Sequence, residues 1–138
     1  MNVFRLNILA ADKAFYTGEA VSLVVPAIEG QYGILAHHQN MITATIPGKL
    51  KYTAPDGTEH IAAVSSGLVK VEDNEVLVLV ESAERPEEID INRAKRDAEQ
   101  AREILLRKQS IRDFHAAQSQ IARALNRIRI KNEQDYHQ

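Results

Sequence analysis

The chain has 138 residues, 44% of them apolar, and a formal net charge of −2, which suits a folded globular protein and excludes wholesale disorder. Zero cysteines exclude a disulfide scaffold, a thiol nucleophile, a zinc–thiolate centre and an iron–sulfur cluster, and 5% aromatic residues without Trp argue against a base-stacking platform. No apolar run approaches the about 20 residues that span a bilayer, so no membrane insertion is expected, and Met1–Leu6 lacks the basic segment and apolar core of a signal peptide.

The first part of the chain reads as many short strands. Phe4, Leu6 and Ile8 alternate with Arg5 and Asn7, the period-2 pattern of a half-buried strand. Leu50 and Tyr52 alternate with Lys49 and Lys51, and Pro55-Asp56-Gly57 turns the chain into Ile61–Val64, a hairpin. A second hairpin runs from Leu68–Val71 through Glu72-Asp73-Asn74 to Val76–Val80. That last run is apolar at every position and is expected to be buried on both faces. Strands at this spacing without helical periods between them point to a β-sandwich or flattened barrel.

Composition changes near residue 86. All six glycines and all four prolines lie before position 89. Residues 1–89 carry six basic and twelve acidic side chains, whereas residues 90–138 carry eleven basic and seven acidic ones. The expected fold is therefore mainly β plus α, with a β-sandwich over 1–86 and an antiparallel two-helix hairpin over 87–138. Helices are expected near 90–107 and 111–131. Ile91, Ala94, Ala98, Ala101 and Leu105 form one helical stripe, and Phe114, Ala117, Ile121, Ala124 and Ile128 form another. Asp90 suits the N-cap of the first helix, Ser110 with Asp113 resembles a capping signal for the second, and Arg107-Lys108-Gln109-Ser110 connects them. Alanine seams bury little area, so this hairpin is expected to be marginal and able to change partner.

Reflecting the hairpin about Ser110 places Arg93 opposite Arg127, with Arg123 one turn away. The plain reading is a solvated face with scattered ion pairs. The sharper one is a phosphate site at the start of the first helix, closed only when the hairpin is folded. Other chemistry is thin. The chain has no phosphate-cradling Gly-rich loop ending in Lys-Ser/Thr and no nucleophile elbow, so no catalytic residues are assigned. His37 and His38 are adjacent and lack further ligands at metal spacing, and His60 and His115 stand alone, so no metal site is assigned.

Four runs carry a family resemblance. Glu29-Gly30-Gln31-Tyr32-Gly33-Ile34-Leu35, followed by His38, resembles the EGxxGIL stretch of the epsilon subunit of bacterial F-type ATP synthase. Ser65-Ser66-Gly67 resembles that family's SGG turn, Ile89-Asp90-Ile91-Asn92-Arg93-Ala94 fits its I/L-D-x-x-R-A motif, and Arg123-Ala124-Leu125-Asn126-Arg127 resembles the R-A-x-N-R run of the second helix. The resemblance covers essentially the whole chain. It implies a non-catalytic rotor subunit at the cytoplasmic face of the membrane, whose sandwich binds the gamma subunit and sits on the ring of c subunits. Gln31, Gly33 and His38, on a loop spanning Glu29–Asn40, would face ring and stalk. The helical hairpin would fold down or extend toward the catalytic alpha and beta subunits to inhibit ATP hydrolysis. ATP, as a regulatory ligand rather than a required cofactor, would contact Glu84, Ile89, Asp90, Arg93, Ala94, Arg123 and Arg127. Gln100 departs from the Arg of ATP-binding members, and Ala36-His37 replaces a common Pro-Gly. The alternative from another class is a nucleic-acid-binding or other basic helical module, against which stand the acidic first half and the absence of interleaved aromatics.

Overall fold

The computed structural model describes residues 2–107 and 111–137. The chain divides into two compact units, Met1–Arg85 and Pro86–Gln138.

The first unit holds ten strands among its described residues: β1 (Phe4–Ala10), β2 (Ala14–Ala20), β3 (Ser22–Ala27), β4 (Gly30–Leu35), β5 (Met41–Thr45), β6 (Gly48–Thr53), β7 (Glu59–Val64), β8 (Gly67–Glu72), β9 (Glu75–Val80) and β10 (Ala83–Glu84). Hydrogen bonds link them in the order β10-β7-β6-β3-β5-β8-β9-β1-β2, with β4 on β3 beside this path. Only Ala27↔Thr45 joins β3 to β5, so the path folds there into two layers. Every strand pair is antiparallel except β1 with β9, which run parallel with Leu6 opposite Val76 and Ile8 opposite Val78.

Alternation decides which side chains fill the space between the layers. Phe4, Leu6 and Ile8 point inward from β1, as expected, and meet Leu23, Val25, Ile34, Leu50, Val69, Val71, Val76 and Val78 in one core. The β6–β7 hairpin forms around Pro55-Asp56-Gly57, with Tyr52 opposite His60 and Leu50 opposite Ala62. Gly57 takes a positive φ there, and the Asp56 carboxylate accepts hydrogen bonds from the Thr58 amide and hydroxyl. Those two bonds hold the Asp56 carboxyl below its usual pKa.

Two expectations need correction in this unit. The Val76–Val80 strand is buried on one face only, since Leu77 is half-buried and Leu79 is 38% exposed. In a two-layer sandwich β9 has β8 and β1 at its sides and the opposite layer over one face, so alternate residues face outward. The Glu29–Asn40 segment is also not one loop. Half of it is β4, paired with β3 from Ser22↔Leu35 to Ala27↔Gly30. Its period-2 burial was hidden by two glycines in six residues.

Gly67 shows what the crossover between layers requires. A Cβ there would lie 1.9 Å from the Leu79 carbonyl oxygen, so no larger residue fits. The preceding Ser65 is buried, accepts a hydrogen bond from the Ser82 amide at 2.8 Å on its hydroxyl, and donates its own amide to the Ser82 carbonyl at 3.1 Å. Ser65 and Ser66 thus link β7 to β8, pinned by the β9–β10 connection, while Gly67 already opens β8.

The second unit opens with a 3-10 turn over Pro86–Glu88 and continues as α1 (Ile91–Arg107) and α2 (Ile111–His137). The two helices pack on each other through Ala94, Ala98, Ala101, Ala117 and Ala124, all buried. The expected stripe on α2 shifts toward its C-terminal half, where Asn126 and Ile130 are buried while Ile121 and Ile128 are half-buried. α2 also runs six residues beyond the expected end at 131, because Asn132–His137 contains no helix breaker. The side chains of Leu105 and Phe114, the Ser110–Asp113 cap and the Lys108–Ser110 connection lie outside the described residues.

Candidate functional site

The arginine cluster begins with the helix start that holds it. Ile89 is buried and its amide closes the 3-10 turn on the Pro86 carbonyl at 3.2 Å. Asp90 then caps α1: its Oδ1 accepts the Arg93 amide at 3.1 Å, and its carbonyl accepts the Ala94 amide at 3.0 Å. A short acidic side chain at this position satisfies a helix N–H that has no intrahelical partner and places negative charge at the positive end of the helix. Ala94 is fully buried in the seam, and its neighbour Arg93 is exposed.

α2 brings Arg123 and Arg127, both half-buried, along the same hairpin. The structure places Arg127 Nη1 3.8 Å from Asp97 Oδ2 of α1, one turn beyond Arg93. An offset of one turn sets a carboxylate, rather than the Arg93 guanidinium, against Arg127, which removes a like-charge contact. Next to it, the buried Asn126 accepts a hydrogen bond from Arg129 Nη2 at 2.8 Å. Of the residues expected to contact ATP, Ile89, Asp90, Arg93, Ala94, Arg123 and Arg127 all belong to this unit. Glu84 belongs to the other, half-buried on β10 opposite Ala63. Gln100 is exposed on α1. Asp97 escaped the sequence reading, although its position four residues after Arg93 and seven after Asp90 keeps it on their helix face.

Gln31 and Gly33 are exposed on β4, and a Cβ on Gly33 would meet nothing within 4 Å. His38 is half-buried. Its Nδ1 lies 2.8 Å from the Gln39 carbonyl and its Nε2 lies 3.0 Å from the Tyr32 hydroxyl. A carbonyl only accepts, so Nδ1 carries a proton, and Nε2 shares a hydrogen bond with the Tyr32 hydroxyl. The loop 36–40 is tied to the β8–β9 turn. His37, at φ 64°, donates its amide to Asn74 Oδ1 at 2.7 Å, and Asn40 Oδ1 accepts the Asp73 amide at 3.0 Å. Asn74 also donates from Nδ2 to the Val3 carbonyl at 2.9 Å. Ile28, in the β3–β4 turn, and Leu35, at the far end of β4, are 75% and 64% exposed.

Two further features were not foreseen. Arg85 stacks its guanidinium 4.4 Å over the Phe15 ring, a cation–π contact at the end of the unit. Tyr16, Tyr52 and His60 stack in series at 4.4 and 4.9 Å between ring centroids. Burial of Tyr52, and then the nearby Tyr16, push the Tyr52 phenol above its usual pKa. Among the described residues, no cluster of three or more His, Asp or Glu is placed to hold a metal ion, and no helix is long and apolar enough to cross a membrane.

The fold and these motifs meet known proteins over the whole chain. Residues 3–86 match the family model of the ATP synthase delta/epsilon chain β-sandwich domain, and residues 87–132 match that of its long α-helix domain. The chain belongs to the ATP synthase delta/epsilon family. It is 38% identical over 133 residues to the ATP synthase epsilon chain of Ruminococcus albus, covering 96% of this chain and 98% of that one. It is 36% identical over 132 residues to the epsilon chain of Ruminiclostridium cellulolyticum, covering 96% and 98%. The fold is also similar to a chain in the Euglena gracilis mitochondrial ATP synthase, with a TM-score of 0.75 at 20% identity, covering 96% of this chain and 80% of that one. A chain of the Tetrahymena thermophila mitochondrial ATP synthase central stalk and c-ring is similar with a TM-score of 0.69 at 14% identity, covering 92% and 95%. The family thus accounts for both parts of the fold, the β-sandwich and the helical hairpin that follows it.

Proposed function

We propose that this chain is a non-catalytic subunit of the central stalk of a proton-translocating ATP synthase. It would sit at the cytoplasmic face of the membrane and be held there by protein contacts. The observation that carries the reading is the match of both family domains, in order, over residues 3–132. In this reading the sandwich is the assembly module. It binds the gamma subunit and faces the ring of c subunits with the Glu29–Asn40 segment, which carries Gln31, Gly33 and His38. The nucleic-acid-binding alternative draws no support from either domain match. Co-purification of the tagged full chain with gamma and the ring tests the assignment, and failure to retain either partner removes it.

The helical arm is the regulatory module in the same reading. Folded, it gathers Arg93, Arg123 and Arg127 for the phosphates of one ATP, while Asp90 holds the helix start. Extended, it reaches the catalytic alpha and beta subunits and inhibits hydrolysis. What supports this is the donor set itself: three guanidinium groups on two helices that are held together by small side chains. A ligand shifts such an equilibrium only by its difference in affinity for the two states, about 1.4 kcal/mol for a tenfold preference. Calorimetric titration of the full chain with ATP is expected to show saturable binding that Arg127→Ala weakens and Gln100→Arg tightens. No heat of binding up to several millimolar ATP would leave the arginines as contacts for an acidic protein surface.

A further inference from the structure

We propose that Asp97 is a resting counter-ion of Arg127 and competes with nucleotide phosphate for that guanidinium, so that it tunes how tightly the folded hairpin holds ATP. The inference rests on the ATP-sensing reading above and adds to it a residue which that reading does not contain. Its starting point is the contact between Asp97 Oδ2 on α1 and Arg127 Nη1 on α2 at 3.8 Å, with side chains 35% and 19% exposed.

Three observations give the pair this role. First, two other acids of α1 and its cap are turned to partners on the same helix. Asp90 Oδ1 accepts the Arg93 amide, and Glu99 leans toward Arg102 at 3.9 Å on its own helix. Asp97 is a carboxylate of α1 that reaches across to Arg127 on α2. Second, the distance is long for a charge-assisted hydrogen bond, which closes to about 2.7–2.9 Å. The pair is therefore an electrostatic contact without a tight, directional lock, and a more highly charged acceptor can take the guanidinium from it. Third, the pair is shielded more than an exposed surface pair, so its field is screened less by solvent and salt.

A polyphosphate approaching Arg127 meets the Asp97 carboxylate beside it. Either the carboxylate turns away or two anions share one cation, and both weaken binding. The penalty grows with the negative charge of the ligand, so it is largest for a nucleoside triphosphate and smallest for a monophosphate. Asp97 thereby raises the ATP concentration at which the arm is held down, while its attraction to Arg127 helps to keep the empty hairpin closed. These two effects have opposite consequences on removal. Losing the carboxylate loosens the empty hairpin and tightens the ligand, whereas a simple brace between the helices would, on removal, loosen both.

The test uses the full chain and four proteins: the unaltered chain, Asp97→Asn, Asp97→Ser, and Asp97→Asn combined with Arg127→Ala. Helix content and its thermal transition are followed by circular dichroism, and binding of ATP, ADP and AMP is measured by calorimetry at one low salt concentration. Asp97→Asn and Asp97→Ser are expected to bind ATP about threefold to tenfold more tightly, a step of up to one tenfold unit of affinity. The gain should shrink from ATP to ADP to AMP, the helical transition should fall in the absence of ligand, and the double variant should lose the gain. ATP binding by Asp97→Asn alone, with none by the unaltered chain, also supports the proposal. Equal or weaker ATP binding by both Asp97 variants, with normal binding by the unaltered chain, overturns the role of Asp97 and leaves the ATP-sensing reading standing. Absence of binding in every protein overturns both.

Discussion

The sandwich closes on Phe4, Leu6, Ile8, Leu23, Ile34 and Leu50, while the helical arm closes on Ala94, Ala98, Ala101, Ala117 and Ala124. Burying one large aliphatic side chain stabilises by about 1.5–3 kcal/mol, and a single methyl contributes roughly 0.8 kcal/mol. The sandwich is also tied by strand pairs distant in sequence, such as Arg5↔Glu75 through Ala10↔Val80, whereas the arm joins two consecutive helices. One unit is therefore held by large buried side chains and non-local pairing. The other is held by small increments, within reach of a ligand or a partner protein. Stability is therefore distributed unevenly along this chain.

The largest break in that comparison comes from Gly67. Gly67→Ala pushes a methyl into the Leu79 carbonyl, and the layer crossover has no flexible side chain there to yield. The expected result is loss of several kcal/mol, at the upper end for single substitutions, seen as a sandwich that unfolds at much lower denaturant. A midpoint within error of the unaltered chain would mean that the crossover is not rigid. Next comes Asn74→Ala, which removes an acceptor for the His37 amide, a donor to the Val3 carbonyl and a side chain suited to φ 63°. It should cost about 1–3 kcal/mol of sandwich stability and speed amide exchange at His37.

Asp90→Ala sharpens the contrast from the other side. Loss of the cap should lower stability of the arm by about 1 kcal/mol and leave the sandwich transition where it was. If both transitions move together, the two units are not independent in stability. Gly33→Ala is the matched control for Gly67→Ala: the site is open, φ is not positive, and the change in stability should stay within about 0.5 kcal/mol.

The smallest effect is that of pH on the sandwich. Asp56 is held below the usual carboxylate pKa by Thr58, and Glu72 by Lys70 at 2.7 Å. A depressed folded-state pKa gives stability that is present above the unfolded value and lost as pH falls through the folded one. Tyr52 has the opposite sign: its raised pKa gives stability that is present below the usual phenol range and is lost as pH rises through the folded value. Thermal scans should therefore show a broad neutral plateau with small losses at both ends. Thr58→Ala should flatten the acid side, and an unchanged acid limb would discount the Asp56–Thr58 hydroxyl bond.

Local pattern carried much of this molecule. The alternation of Phe4, Leu6 and Ile8, the Pro55-Asp56-Gly57 turn, the alanine stripe of α1 and the Asp90 cap are all short-range signals, and short-range signals are what period and capping rules read. Other features depend on neighbours distant in sequence. That β9 is covered on one face only, that β4 is a strand despite two glycines, and that Gly67 must be glycine follow from which layer lies opposite and which carbonyl approaches. The candidate site divides in the same way. Residue types at the right spacing along each helix marked Asp90, Arg93, Arg123 and Arg127 in advance. The carboxylate that meets Arg127 did not follow from them, because the offset of two packed helices is set by how their side chains interlock over the whole seam. Composition and periodicity determined the parts and their order; interlocking side chains and non-local strand pairing decided which faces meet and which charges end up side by side.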